Sequence, residues 1–246
     1  MKIMNNIKII DLALCLEKEK ILVIADMHIG YEEALNKQGI LIPRFQFKEI
    51  IKRLEKILKN TKINKKNKLE KIIINGDIKH EFGTISEQEW RETLRLLDFL
   101  TKFCDEIILI KGNHDTIIGP IAKKRNVRIV DYCLTKKGVL IIHGHRIPEK
   151  DLLKKTNTII IGHEHPALSL REDIRVEKFK CFLKGKYKRK NLVVMPSFCL
   201  ATEGTDILKE KLLSPFLDQD LTNFDVFVVA DKVYDFGKLK NLTQPL

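Results

Sequence analysis

The sequence predicts an α/β fold: two packed sheets flanked by helices, in a single domain spanning residues 1–246. Three observations predict it. Short Ile- and Val-rich runs recur along the chain without polar alternation, as in strands buried on both faces. Two amphipathic stretches separate the early runs, giving the strand–helix–strand order of a right-handed parallel core. After residue 125 strands dominate, so the second half is expected to add a mixed sheet.

The elements follow in order. Ile21-Leu22-Val23-Ile24 is the first strand of the core and leads to Asp26. The first helix carries Phe47, Ile50, Ile51, Leu54, Ile57 and Leu58 on one stripe, with Lys52, Arg53, Glu55 and Lys56 turned away. Pro43 lies just before it, where helices begin. Lys71 to Asn75 is the next strand and leads to Asp77. The second helix opens on Ser86-Glu87-Gln88-Glu89, a capping box in which Ser86 accepts from the Glu89 amide and Glu89 reaches back. Trp90, Leu94, Leu97 and Phe103 mark its expected buried side. Further strands are predicted at Ile107 to Ile110, Val139 to Ile142, Thr158 to Ile161, Asn191 to Met195 and Asp225 to Val229. Residues 197–222 lack periodicity and are expected as a long irregular excursion.

Bulk composition excludes several classes. The 44% hydrophobic content suits a globular chain, and no apolar run approaches the ~20 residues a bilayer requires. The N-terminus carries Asp11, Glu17 and Lys18 ahead of its first strong apolar run, unlike a secretory signal. Cys15, Cys104, Cys133, Cys181 and Cys199 are scattered, with no C-x-x-C pair. That argues against a disulfide framework or a thiolate metal site and for a reducing compartment; a cytoplasmic protein without a membrane partner is expected. The net charge of +12 favours polyanions, although Lys-rich composition also suits a solvated surface. The basic tracts Lys62 to Lys71, Lys123-Lys124-Arg125 and Lys184 to Lys190 can be read either way, as can Tyr187 as a base-stacking ring.

All seven histidines fall in short polar clusters, each after an apolar run: Asp26-Met27-His28, Gly76-Asp77-Ile78-Lys79-His80, Gly112-Asn113-His114-Asp115, His143-Gly144-His145 and Gly162-His163-Glu164-His165. Neutral imidazole and carboxylate are ligands for Mn, Fe, Zn, Co or Ni. Two divalent ions ~4 Å apart suit phosphate-ester hydrolysis, because they lower the pKa of a bridging water and offset phosphoryl charge. Their four positive charges, less three from Asp26, Asp77 and hydroxide, leave a site that attracts a phosphate ester. Asp26 and His28 are two apart, so in extended backbone they would point to one side, and His163 and His165 would repeat that arrangement. Glu164 between them would point away.

The ordered series D-x-H, G-D-x-x-H, G-N-H-D, H-G-H and G-H-x-H resembles the calcineurin-like metallophosphoesterase superfamily, which includes the Mre11/SbcD nucleases. Ala25 to Glu33, Gly76 to Phe82 and Gly204-Thr205-Asp206 resemble one branch more closely: archaeal SbcD-related phosphoesterases and bacterial ligase-associated DNA-damage-response endonucleases. The resemblance implies a four-layer α/β/β/α sandwich. It implies that Asp26, His28 and His165 bind one metal, that Asn113, His143 and His163 bind the other, and that Asp77 bridges them. His114 would stabilise phosphoryl charge or protonate the leaving oxygen. The superfamily often has Asp where this chain has His80.

What remains is less determined. His80 and His145 either touch substrate phosphate or hydrogen-bond a ligand. Arg44 either binds a phosphate oxygen or is solvated. Asp115 either orients His114 or forms the turn. The expected activity is a metal-dependent phosphodiesterase acting on DNA in repair, with two divalent ions, Mn foremost. A phosphodiesterase or phosphatase for small molecules such as cyclic nucleotides is the alternative, and a non-catalytic scaffold of the same fold is a third reading. A helicase or ligase partner is implied by the branch resemblance alone.

Overall fold

The computed structural model describes residues 1–61, 63, 64 and 66–242. Lys62 and Lys65 of the first basic tract and the last four residues lie outside the described residues. The chain forms two compact units, Met1–Asp131 with Phe198–Thr202, and Tyr132–Ser197 with Glu203–Leu246. Each holds one mixed sheet, so the chain is mixed α/β with two mixed sheets flanked by helices.

In the first unit the sheet runs in simple sequence order. Strands β1 (Lys2–Met4), β2 (Ile7–Ile10), β3 (Ala13–Leu16) and β4 (Ile21–Ile24) form an antiparallel meander. β5 (Leu69–Asn75), β6 (Cys104–Ile110) and β7 (Arg128–Val130) then add in parallel to β4. Their crossovers carry α1 (Tyr31–Lys37) and α2 (Gln46–Asn60), then α3 (Glu87–Leu100), then α4 (Gly119–Lys124). Every residue of β4 is buried, as a core strand without polar alternation should be. The meander before residue 20 is absent from the sequence reading. Its signals are slight: the two-residue turns Asn5-Asn6 and Asp11-Leu12, in which Asn6 and Asp11 take φ of 69° and 58°.

α2 buries Ile50, Leu54, Ile57 and Leu58, which is most of the predicted stripe. In α3 the capping box forms as read, but the buried face is turned. Thr93, Leu96, Leu97 and Leu100 are buried, whereas Trp90 and Leu94 are half-buried and Phe103 lies beyond the helix end. The large side chains misled the reading, because Leu96 and Leu100 extend the i, i+3, i+4 row from Thr93 as well as Leu94 does from Trp90.

The second unit is built on β8 (Tyr132–Leu134), β9 (Val139–Ile142), β10 (Thr158–Ile161), β11 (Pro166–Glu172), β12 (Arg175–Tyr187), β13 (Lys190–Val194), β14 (Thr205–Asp206), β15 (Asp225–Val229) and β16 (Val233–Lys238), with α5 (Lys150–Lys154) between β9 and β10. β9, β10 and β13 are parallel neighbours. The β11–β12 hairpin turns at Asp173-Ile174, with Asp173 at φ 52°, and was not anticipated because its outer half is charged. Leu140, Ile142, Ile159, Ile161, Leu183, Leu192, Val194 and Phe216 form the core of this unit. Within residues 197–222 only the two-residue β14 is regular.

The turned face of α3 makes a prediction. Leu97→Ala should cost about 2–4 kcal/mol in urea denaturation and Leu94→Ala less than about half of that. Equal losses would restore the original stripe.

Candidate metal centre

In each unit the candidate ligands stand where parallel strands end. β4, β5 and β6 are adjacent and parallel, so Asp26, Asp77 and Asn113 leave the sheet at one edge of the first unit. Irregular pairing continues past the strand ends. The amides of Asp26, His28 and Ile29 donate to the carbonyls of Gly76, Asp77 and Ile78 at 3.1, 3.0 and 2.9 Å. In the second unit His143 follows β9 and His163 follows β10, while His165 immediately precedes β11. Such carboxyl ends of parallel strands are where open α/β sheets place their ligands.

The backbone at these positions differs from the extended one expected. Asp26, His28, Asp77, His163 and His165 take φ of 53°, 45°, 48°, 65° and 51°, all left-handed. Side chains two apart therefore do not share a side by strand alternation; each is aimed by its own turn. A non-glycine residue in this region costs about 1–2 kcal/mol, and such conformations gather where function requires them.

Buried groups hold the turns in place. Asp115 is fully buried, and its carboxylate accepts from the amides of Gly112 (3.0 Å) and Ile78 (3.2 Å), so the hydrogen bonds show a loop staple and turn former. Glu89 does more than close its capping box: its carboxylate accepts from the amides of His80 (2.9 Å), Glu81 (2.7 Å) and Ser86 (2.7 Å). Gln46 donates through Nε2 to the carbonyls of Met27 (3.2 Å) and His28 (3.0 Å), and Glu32 accepts from the amides of Phe45 and Gln46. Lys79, wholly buried, donates to the carbonyls of Glu81 and Thr84. Glu164, fully buried, accepts from the amides of Leu213 (2.8 Å) and Ser214 (2.7 Å). Burial raises its pKa, against the lowering effect of those two amides. Sequence reading missed Glu89, Glu32 and Gln46 as supports, because a helical carboxylate or amide looks the same whether it faces water or a backbone loop.

Two glycines are required by close approach. A Cβ on Gly112 would lie 2.1 Å from Asp77 Oδ1 and 2.5 Å from its amide nitrogen. One on Gly204, at φ 115°, would lie 2.0 Å from the His165 carbonyl oxygen. That carbonyl accepts from Thr205 at 2.9 Å, and Asp206 pairs with Ala167, so Gly204-Thr205-Asp206 braces the turn at His165.

The side chains then gather within each unit. His28, His80 and His114 bring a ring nitrogen each within 4.8 Å of the others, a group able to hold an ion. Asp77 Oδ1 accepts from the His114 amide at 2.9 Å, and its Oδ2 lies 3.9 Å from Nε2 of both His28 and His114. His114 meets the carbonyl of His80 through Nδ1, which leaves Nε2 as the nitrogen on the side of Asp77. Burial first, then the neighbouring His114, push the pKa of His80 down to about 4, so its ring is neutral near pH 7 and can offer a lone pair. In the second unit the rings of His143 and His163 lie 5.0 Å apart and those of His143 and His145 5.3 Å apart. Buried carboxylates, neutral imidazole and a strand-end amide fit a divalent transition ion in their donor chemistry.

Other expected residues are not among the groups just named. Arg44 is exposed on the loop before α2. Arg125 pairs with Asp98, and Lys124 lies over the Trp90 ring. The Lys184 to Lys190 tract turns at the start of β13, the end of the parallel strands opposite His163. Tyr187 is half-buried against Phe216, with ring centroids 4.9 Å apart, and is a packing residue. Cys15, Cys104, Cys181 and Cys199 are buried, and burial raises the Cys104 thiol to about 11, which suits a small hydrophobe better than a thiolate ligand.

A sequence profile described as calcineurin-like phosphoesterase matches residues 19–195. No curated protein sequence matches the chain. Among solved structures the chain is similar to nuclease MPE of Pseudomonas putida, with 19% identity, 93% of each chain covered and a TM-score of 0.65. It also aligns with YfcE, a phosphoesterase from E. coli, with 13% identity, 89% of this chain and 97% of that one covered, and a TM-score of 0.42. Among the described residues, no helix is long and apolar enough to cross a membrane.

Two outcomes are expected. Gly112→Ala should cost about 1–3 kcal/mol and weaken divalent-ion binding, because Asp77 must move; unchanged affinity by calorimetry would show that this contact does not place the carboxylate. His80 protonates less readily folded than unfolded, so metal-free protein should lose stability as pH falls from about 6.5 towards 4. A His80→Asn variant should lose less over the same range in urea titrations at pH 7 and 5.

Proposed function

The chain belongs to the calcineurin-like phosphoesterase family, and from that premise we propose that this hydrolase is a dinuclear metal-dependent phosphodiesterase acting on DNA. The observation that carries the reading is the ordered ligand series, each member set in a turn at a strand end, most of them left-handed. The motif order supports Asp26, His28 and His165 as ligands of one ion and Asn113, His143 and His163 as ligands of the other, with Asp77 shared. Manganese is the first candidate, with Fe, Zn, Co and Ni equally compatible with the donor types. When bound, such ions supply Lewis-acid polarisation of the phosphoryl group and a lowered pKa for water.

The residues of the chain do the rest. Asp77 is held by the His114 amide, so its carboxylate is oriented before any ion arrives. Because a carbonyl only accepts, the Nδ1 contact to the His80 carbonyl keeps an N–H on Nδ1 and leaves Nε2 as the ring atom to face phosphoryl charge or, when it also carries a proton, to serve a departing alcohol. The buried supports keep the turns rigid, which is how transition-state groups are preorganised. His145 and His80 are proposed to contact phosphate or steady a ligand, and Arg44 to meet a phosphate oxygen.

Two facts support DNA over a small ester: the net charge of +12, and the fold shared with a protein described as a nuclease. The extended motifs support the SbcD-related and ligase-associated branch, and with it a cytoplasmic repair role beside a helicase or ligase.

Hydrolysis of single- and double-stranded DNA with Mn²⁺ tests the reading, alongside chromogenic diesters and monoesters. Asp77→Ala should lower the rate more than about 100-fold, since even outer partners of a metal ligand cost 10–100-fold. It should also reduce the ion content found by elemental analysis. Activity that survives in this variant, or in excess chelator, would overturn the assignment; faster turnover of monoesters than DNA would favour the small-molecule alternative.

A further inference from the structure

We propose that Phe82 is a stacking platform for a planar ring of the substrate, the nucleobase beside the phosphate when the substrate is a nucleic acid. The proposal rests on the phosphoesterase reading, which puts the phosphate within reach of His114. Phe82 is apolar yet 55% exposed. Its ring lies 3.7 Å, centroid to centroid, from that of His114, with 31° between the planes. His114 is stacked in turn with His80 at 5.4 Å and 28°. Phe82 thus ends a row of three rings that leads out from the ion-binding group, and more than half of it meets solvent.

The ring is held in that position. The Phe82 carbonyl accepts from Thr116 Oγ1 at 2.8 Å, and the preceding residue is tied through its amide to buried Glu89. A second ring at this cluster, Tyr31, is half-buried and stands perpendicular to His80 at 4.6 Å, outside the row. An exposed aromatic on a pinned loop beside a phosphate site has the makings of a sequence-tolerant contact, because every base has a π-face. It would select substrates by the ring next to the phosphate and leave the chemistry at the phosphate unchanged.

The test is equilibrium binding to Mn²⁺-loaded protein by calorimetry. Thymidine 5′-monophosphate and deoxyribose 5-phosphate share a phosphate and a sugar and differ by the base. The wild type should bind the base-bearing ligand about tenfold more tightly. Phe82→Ala should remove most of that ratio and Phe82→Trp should keep it, with circular dichroism confirming that both variants fold. An unchanged ratio in Phe82→Ala would overturn the proposal. So would equal weakening of both ligands, which is the mark of a residue that only supports His114. Hydrolysis of bis(p-nitrophenyl) phosphate by the wild type, run in parallel, reports separately on the phosphoesterase reading. A positive result there with no base-dependent binding sinks the stacking role alone, whereas a negative one sinks the premise.

Discussion

The constraint on which the candidate centre depends is the supply of hydrogen-bond acceptors to backbone that has left its sheet. Where β4 and β5 end, ladder pairing stops, yet the chain stays buried for several residues, and after β6 it returns to the interior at Gly112 and Asp115. Buried amides without partners cost 1–3 kcal/mol each. The protein meets this with carboxylates spent on the main chain: Glu32 on Phe45 and Gln46, Glu89 on His80 and Glu81, Asp115 on Gly112 and Ile78, and Glu164 on Leu213 and Ser214. One oxygen accepts both amides in Glu32, Glu89 and Glu164, and Asp115 uses one oxygen for each, so a single side chain fixes two successive or facing amides.

That support explains how several left-handed non-glycine residues can be kept together. Asp26, His28 and Asp77 would relax individually, each relieving about 1–2 kcal/mol. They do not relax, because the loops carrying them are bonded to one another through the Asp26–Gly76, His28–Asp77 and Ile29–Ile78 contacts. Conformational strain and loop cross-linking are two sides of one arrangement: a rigid turn can aim a ligand that an extended strand would leave on the sheet face. The glycines belong to the same design. At Gly112 and Gly204 the missing Cβ is what lets Asp77 and the His165 carbonyl approach.

The division of labour among polar residues is therefore sharper than their composition suggests. Imidazoles and two aspartates stand as ligand candidates, while the other buried acids satisfy amides. Surface charge behaves differently. Arg125 is engaged with Asp98, and the Lys184 to Lys190 tract sits at the strand end away from His163, so these basic residues bear on general polyanion attraction more than on contact at the centre.

How much was legible follows from which interactions are local. Ile- and Val-rich runs declare strands because burial on both faces is written into each residue, and Ser86 to Glu89 declares a helix start because the capping box closes within four residues. The candidate donors were equally readable, since donor chemistry belongs to residue type. The hairpins before residue 20 and at Asp173 were not, because one turn residue per hairpin is a weak signal against charged flanks. The direction of each candidate ligand, the turned face of α3 and the second task of Glu89 were decided only by tertiary structure. A φ sign, a helix rotation or an acceptor's partner depends on atoms tens of residues away, and no local pattern encodes them.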